Sequence, residues 1–156
     1  MKLHPLWQWL HLVFAISWIA SLVVAEWNGR TARATTDWSQ RALLFQIVHR
    51  STRTAGAGSL FLAGLLGQVS AMTIGYHMAT DRWMWWATGL WLAALFGMFL
   101  LNVPLSQRLA NLARLAAAGG SSAGYDSALA RWRFANVLQS VMYLGILALM
   151  VLRWRS

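Results

Sequence analysis

The sequence predicts an all-α integral membrane protein. It reads as one domain over residues 1–156, a four-helix bundle with both termini on the outer, periplasmic side. Three observations lead there. Four nearly charge-free stretches predict helices over about residues 6–26, 55–75, 83–101 and 134–152, each close to the ~20 residues that a hydrocarbon core of about 30 Å requires. Hydrophobic residues make up 58% of the chain and charged residues 11%, against roughly 25% charged in soluble domains. The arginines gather in two of the connections between the stretches.

The first stretch, within "LHLVFAISWIASLVVAEWNGR", is too long for a removable leader and lacks a small-residue cleavage site, so it is expected to remain as a helix. In the second, Ala55, Ser59, Ala63, Gly67, Ala71 and Gly75 recur every fourth residue. One helix face is therefore small, which lets a neighbouring backbone come close where lipid supplies little hydrophobic force. This face is expected to pack inside the bundle, with dimerisation as the alternative. A tight turn over about 76–82 leads to the third stretch. Pro104 follows it, where a kink or helix restart is expected. Leu105, Leu109, Leu112 and Leu115 then fall near helical spacing, with Arg108 and Arg114 elsewhere on the wheel. This amphipathic segment suits the membrane interface or a docking surface. Gly119-Gly120-Ser121-Ser122 is a stop signal, and a further helix restarts toward Trp132.

Orientation follows from the basic residues. The first connection carries Arg30, Arg33, Arg41, Arg50 and Arg53, and the third carries Arg108, Arg114, Arg131 and Arg133. Lys2, Arg82, Arg153 and Arg155 lie on the opposite side. The bias places the first and third connections in the cytoplasm; the expected location is the inner membrane of a cell. Trp83, Trp85, Trp86 and Trp154 then mark the outer interface, and Trp27, Trp38 and Trp132 the inner one. The net charge of +9 is distributed over these connections, where it meets anionic lipid headgroups and not nucleic acid. With no cysteine, thiolate ligands and iron–sulfur clusters are excluded.

Polar residues within the apolar stretches are the candidate functional groups. His11, Gln68 and Thr88 fall at similar depth in the outer leaflet, with His4, His77 and the methionines Met72, Met78 and Met84 on the same side. His11 and Gln68, with His77 nearer the surface, are the candidates for holding a cofactor. Three roles are open to His11: hydrogen bonding to Gln68 or a backbone carbonyl, haem or metal ligation, and proton transfer. Glu26 lies fifteen residues from His11, about 22 Å along a helix, so the two do not share a site. At the Glu26 level are Asn102, Trp132, Asn136 and Gln139, with His49 within possible reach. Glu26, Asn102 and Asn136 are thus candidate catalytic residues, with an arginine-paired interfacial acid as the other reading of Glu26. No glycine-rich phosphate loop or H-E-x-x-H motif is present.

The run "LHLVFAISWIASL", with Leu10-His11, Trp18 and the small pair Ala20-Ser21, resembles the first helix of a broad bacterial group of small membrane proteins. That group includes the copper-resistance-D type, the HemJ-type protoporphyrinogen oxidases and a related four-helix family of unknown function. "NVPLSQRLANLARL" and "ALARWRFANVLQSVMYLGILALMV" resemble the unknown-function family, and through Asn102, Pro104, Trp132 and Asn136 the same tail also resembles the anthrone-oxygenase-like membrane family. Ala20-Ser21 stands where the HemJ type has a glycine-bearing pair, and Gln139 where the oxygenase-like pattern often has arginine. The resemblance implies haem binding by His11, with haem b, copper or no cofactor all open. The expected function is that of a haem- or metal-binding protein or an auxiliary subunit of a membrane redox or transport assembly. A membrane oxidoreductase or oxygenase acting on a hydrophobic aromatic or porphyrinogen-like substrate is the alternative. Expected partners are the lipid bilayer and a membrane protein or a second copy of the chain.

Overall fold

The computed structural model describes residues 4–78 and 80–152, without the side chain of His4. Lys2, Arg153, Trp154 and Arg155, which enter the orientation argument, lie outside the described residues. The described chain is helical throughout: α1 (His4–Ala34), α2 (Trp38–Ser51), α3 (Ala57–Thr73), α4 (Arg82–Gly97), α5 (Val103–Ala117) and α6 (Tyr125–Leu152). A π-helical turn, Thr52–Gly56, joins α2 to α3, and a second, Met98–Asn102, joins α4 to α5. The six segments therefore form four long rods. All four are long and apolar enough to cross a membrane, and two of them, Trp38–Thr73 and Arg82–Ala117, have 36 residues each.

At 1.5 Å per residue, a 36-residue rod is about 54 Å long, well beyond a hydrocarbon core of about 30 Å. The sequence-predicted second and third helices, 55–75 and 83–101, are the apolar parts of these rods. The amphipathic segment after Pro104 does not lie apart from the bundle as an interfacial helix. It continues the third rod as α5 and packs against α2, with Leu109 buried and Leu105 and Leu112 partly buried. The physical reason lies in the π turn. Pro104 sits in the first turn of α5, where its missing N–H costs little. The Val103 N–H bonds the Met98 carbonyl, five residues back, so the rod continues through the proline without breaking.

Helix ends are set by glycine. α3 stops at Gly75 (φ +90°), where the Tyr76 N–H reaches the Ala71 carbonyl at 3.1 Å. α5 stops at Gly119 (φ +81°), where the Gly120 N–H reaches the Leu115 carbonyl at 2.9 Å. Both are six-to-one closures that require a left-handed residue. At the other end of α2, the Asp37 carboxylate accepts from the Ser39 N–H at 2.8 Å and caps the helix.

The rods form two cores stacked along the bundle. One lies among the ends of α1 and α6 with α2 and α5, filled by Phe45, Val48, Leu109, Tyr125 and Trp132 among alanines. The other lies among α1, α3, α4 and α6, filled by Trp18, Leu22, Leu60, Met98, Met142 and Ile146. Trp132, expected as an interface anchor, is instead 1% exposed and packs edge-on to Phe45 at 5.4 Å between ring centroids. Trp27, Trp85 and Trp86 are exposed, as interface anchors should be.

Candidate functional site

The polar side chains of the apolar half are set by how closely α1 and α3 approach. Ser59 and Ala63 are buried on the small face of α3, and the Ser59 hydroxyl donates to the Ser17 hydroxyl of α1 at 3.0 Å. One turn further, His11 Nδ1 lies 2.8 Å from the Ala63 carbonyl oxygen. A carbonyl only accepts, so in the neutral imidazole Nδ1 carries the proton and Nε2 keeps the lone pair. The ring rests on Gly67: a Cβ there would stand 3.0 Å from His11 Cε1 and 3.1 Å from Nδ1. The small face thus packs within the bundle and serves to seat a histidine.

Gln68 does not bond His11. Its amide nitrogen donates to the Thr88 hydroxyl of α4, and its Oε1 is buried without a partner among the described residues. Gln68 and Thr88 therefore join α3 to α4, while His11 joins α1 to α3. His77 lies in the turn after α3, ten residues beyond Gly67, with its backbone N–H on the Asp81 carboxylate at 2.8 Å. No hydrogen bond joins it to His11 among the described residues. Those residues also contain no group of three or more His, Cys, Asp or Glu side chains placed to hold a metal. The arrangement offers a haem or metal one imidazole nitrogen, His11 Nε2, whose ring is oriented by a backbone carbonyl as ligating histidines usually are.

The second polar layer lies nearer the arginine-bearing end. Glu26 is held by Arg30, one turn on in α1, with Nε 2.8 Å from Oε1. Its other oxygen accepts from the Asn136 amide of α6 at 3.4 Å. Glu26 and Asn136 are thus brought together, and the arginine pairing expected of an interfacial acid is present. Asn102, 2% exposed on the π turn, has its Oδ1 buried without a partner among the described residues. His49 is turned toward α5, with Nδ1 3.2 Å from the Val103 carbonyl oxygen and 3.3 Å from the Ser106 hydroxyl.

Three fastenings are not evident in the residue pattern. The Trp91 indole lies across Gly64 and donates to the Leu60 carbonyl at 2.9 Å. Gln139, 1% exposed, donates from Nε2 to the Ala94 carbonyl of α4 at 2.7 Å, with Gly97 making room for it. Trp18 meets Tyr143 edge-on at 5.3 Å. The signals that precede the first two are Gly64 and Gly97, glycines inside apolar helices where close approach is the usual reason.

Chemically, the arrangement couples neighbouring helices through single hydrogen bonds at several depths and leaves Nε2 of His11, and of His49 nearer the arginine-bearing end, outside that network among the described residues. Comparison of the chain with protein-family models, with curated proteins and with solved structures gives no match.

Proposed function

We propose that this chain is a small, non-catalytic multi-pass protein of the inner membrane, acting as an auxiliary subunit of a larger redox or transport assembly. The observation that carries the reading is the use made of polar side chains. His11, Ser59, Gln68, Trp91, Asn136 and Gln139 each donate to or pair with a neighbouring helix. A bundle whose intramembrane polar groups serve its own cohesion acts through the surfaces it presents. Glu26, the strongest candidate for a catalytic base, is engaged by Arg30 and Asn136, which supports the same reading.

A second reading, a haem- or metal-binding membrane protein, is favoured by one observation. The Ala63 carbonyl fixes the His11 proton on Nδ1, which leaves Nε2 as a ligand of the right electronic form.

Purification from the native membrane in mild detergent tests both. The auxiliary reading expects native mass spectrometry to show the 17.4 kDa chain in a complex with a different protein. The haem reading expects a Soret band that His11→Ala removes and His49→Ala leaves in place. A chain that is isolated alone, colourless and metal-free would overturn both.

A further inference from the structure

The arginines are not equivalent. Arg30 is paired with Glu26, and Arg41 is committed to the Thr35 carbonyl and to the Trp38 and Tyr125 rings. Arg108 and Arg131 are exposed and have no ion pair or hydrogen bond among the described residues. Both line one groove of about 630 Å³ between α5 and α6, beside the π turn. That volume falls in the range of small-molecule sites, roughly 300–1,000 Å³.

The groove is ordered along its length. Leu100 and Leu101, from the last turn of the apolar stretch, form one wall with Leu105, and Phe134, the first residue of the fourth apolar stretch, forms the other. Leu100 and Phe134 are 69% and 68% exposed, so both walls are open to a ligand. Leu101, Leu105 and Arg108 are spaced by four and three residues and share one helix face. Arg108 stands seven residues, about 10 Å, beyond Leu101 along the rod. On α6, Arg131 stands three residues, about 4.5 Å, beyond Phe134 in the same direction. Both arginines therefore stand just beyond the ends of the apolar stretches, next to an apolar floor.

We infer that this groove is a binding site for one anionic phospholipid, with the phosphate held between Arg108 and Arg131 and an acyl chain laid along Leu100, Leu101 and Phe134. Charge complementarity selects the headgroup, since guanidiniums present forked donors that match phosphate oxygens. The apolar wall selects a lipid over a soluble phosphate. Ala130, exposed on α6 one turn before Phe134, also lines the groove, and its small side chain leaves the space beside Arg131 open.

The test is lipid retention by the full-length protein in detergent, read by native mass spectrometry during titration with phosphatidylglycerol or phosphatidylcholine. Phosphatidylglycerol should be retained preferentially. Arg108→Gln and Arg131→Gln should each weaken it about fivefold and together about thirtyfold, the effect of roughly one surface cation apiece. The equal charge change Arg114→Gln with Arg133→Gln, away from the groove, should weaken it much less. Ala130→Trp should abolish retention with no change of charge. Glycerol 3-phosphate, which has the headgroup chemistry without the chains, should fail to compete. Equal retention of both lipids, equal loss in the two arginine pairs, indifference to Ala130→Trp, or competition by glycerol 3-phosphate would each overturn the site. Circular dichroism melting of every variant identifies any that has lost its fold, and the competition and lipid-preference arms need no variant.

Discussion

The two halves of the bundle are held together by different means. At the arginine-bearing end, large side chains interlock: Trp38, Tyr125, Phe45 and Trp132 form a chain of edge-on rings with centroids 5.1 to 6.3 Å apart, closed by Leu109 and a set of alanines. In the apolar half, α1 and α3 meet through Ser17, Ser59, Ala63 and Gly67, and hydrogen bonds cross the seam. The difference follows from the solvent. Water drives large apolar side chains together, so an end that projects beyond the hydrocarbon layer can rely on burial. Lipid gives no such drive, and there the backbone must come close enough for dispersion and hydrogen bonds to act. A single rod, Trp38–Thr73, follows both rules, and its π turn at Thr52–Gly56 marks the change.

If the comparison is right, the two ends belong on different sides of the hydrocarbon layer, and the largest expected effect is an on-or-off one. A reporter active only outside the cytoplasm should work when fused after Ser156 and fail when inserted at Gly120. The reverse result would exchange the sides while leaving the contrast between the halves intact. Activity at both positions would break the four-span reading itself.

Next in size is the aromatic core. Trp132→Ala should cost about 3–5 kcal/mol, the range for removing a large buried aromatic, read by thermal melting in detergent. A loss below about 1 kcal/mol would mean that this end is not assembled by burial. Trp132 also closes over Gly29 of α1, so the lost packing reaches both long helices.

The close-packed seam predicts a smaller but well-controlled loss. Gly67→Leu adds a side chain where His11 already sits, and overpacking of this kind costs about 1–3 kcal/mol. Gly58→Leu, on the same helix, is the control, because a Cβ there meets nothing within 4 Å. It should be neutral or slightly stabilising, as leucine favours a helix over glycine. Equal effects at the two glycines would remove the argument that α3 is small for the sake of α1.

Much of this architecture is legible in the residues alone. Runs of apolar residues identify the four rods, because a helix must satisfy its backbone in lipid, and the four-residue spacing of small residues identifies the seam. The upper lengths of the rods are less legible. α2 and α5 mix polar and apolar residues, and a π turn adjoins each where the apolar signal stops. Partner choice is the least legible. Depth alone places His11 near Gln68, yet the imidazole takes the Ala63 carbonyl and Gln68 takes Thr88. Residues at one depth on adjacent rods still point in different directions around the helix axis. The same limit hid Trp132, whose type suits an interface but whose direction places it in the core.

His11 provides the smallest and sharpest test of the contrast. Its ring contributes two things to the seam, a hydrogen bond to Ala63 and contact with Gly67. His11→Ala removes both and should lower stability by about 0.6–2 kcal/mol, the span measured for inter-helix hydrogen bonds in lipid. His11→Phe keeps a ring over Gly67 but has no donor for the carbonyl, so it should recover part of that loss and no more. Ser17→Ala, which removes the neighbouring bond to Ser59, should fall at the lower end of the range. If His11→Phe matches the wild-type protein, the seam is held by packing alone and the hydrogen bond contributes nothing. If His11→Ala is itself neutral in melting, the histidine is not a fastening, and ligation or proton transfer through its Nε2 is left to account for its place in the helix.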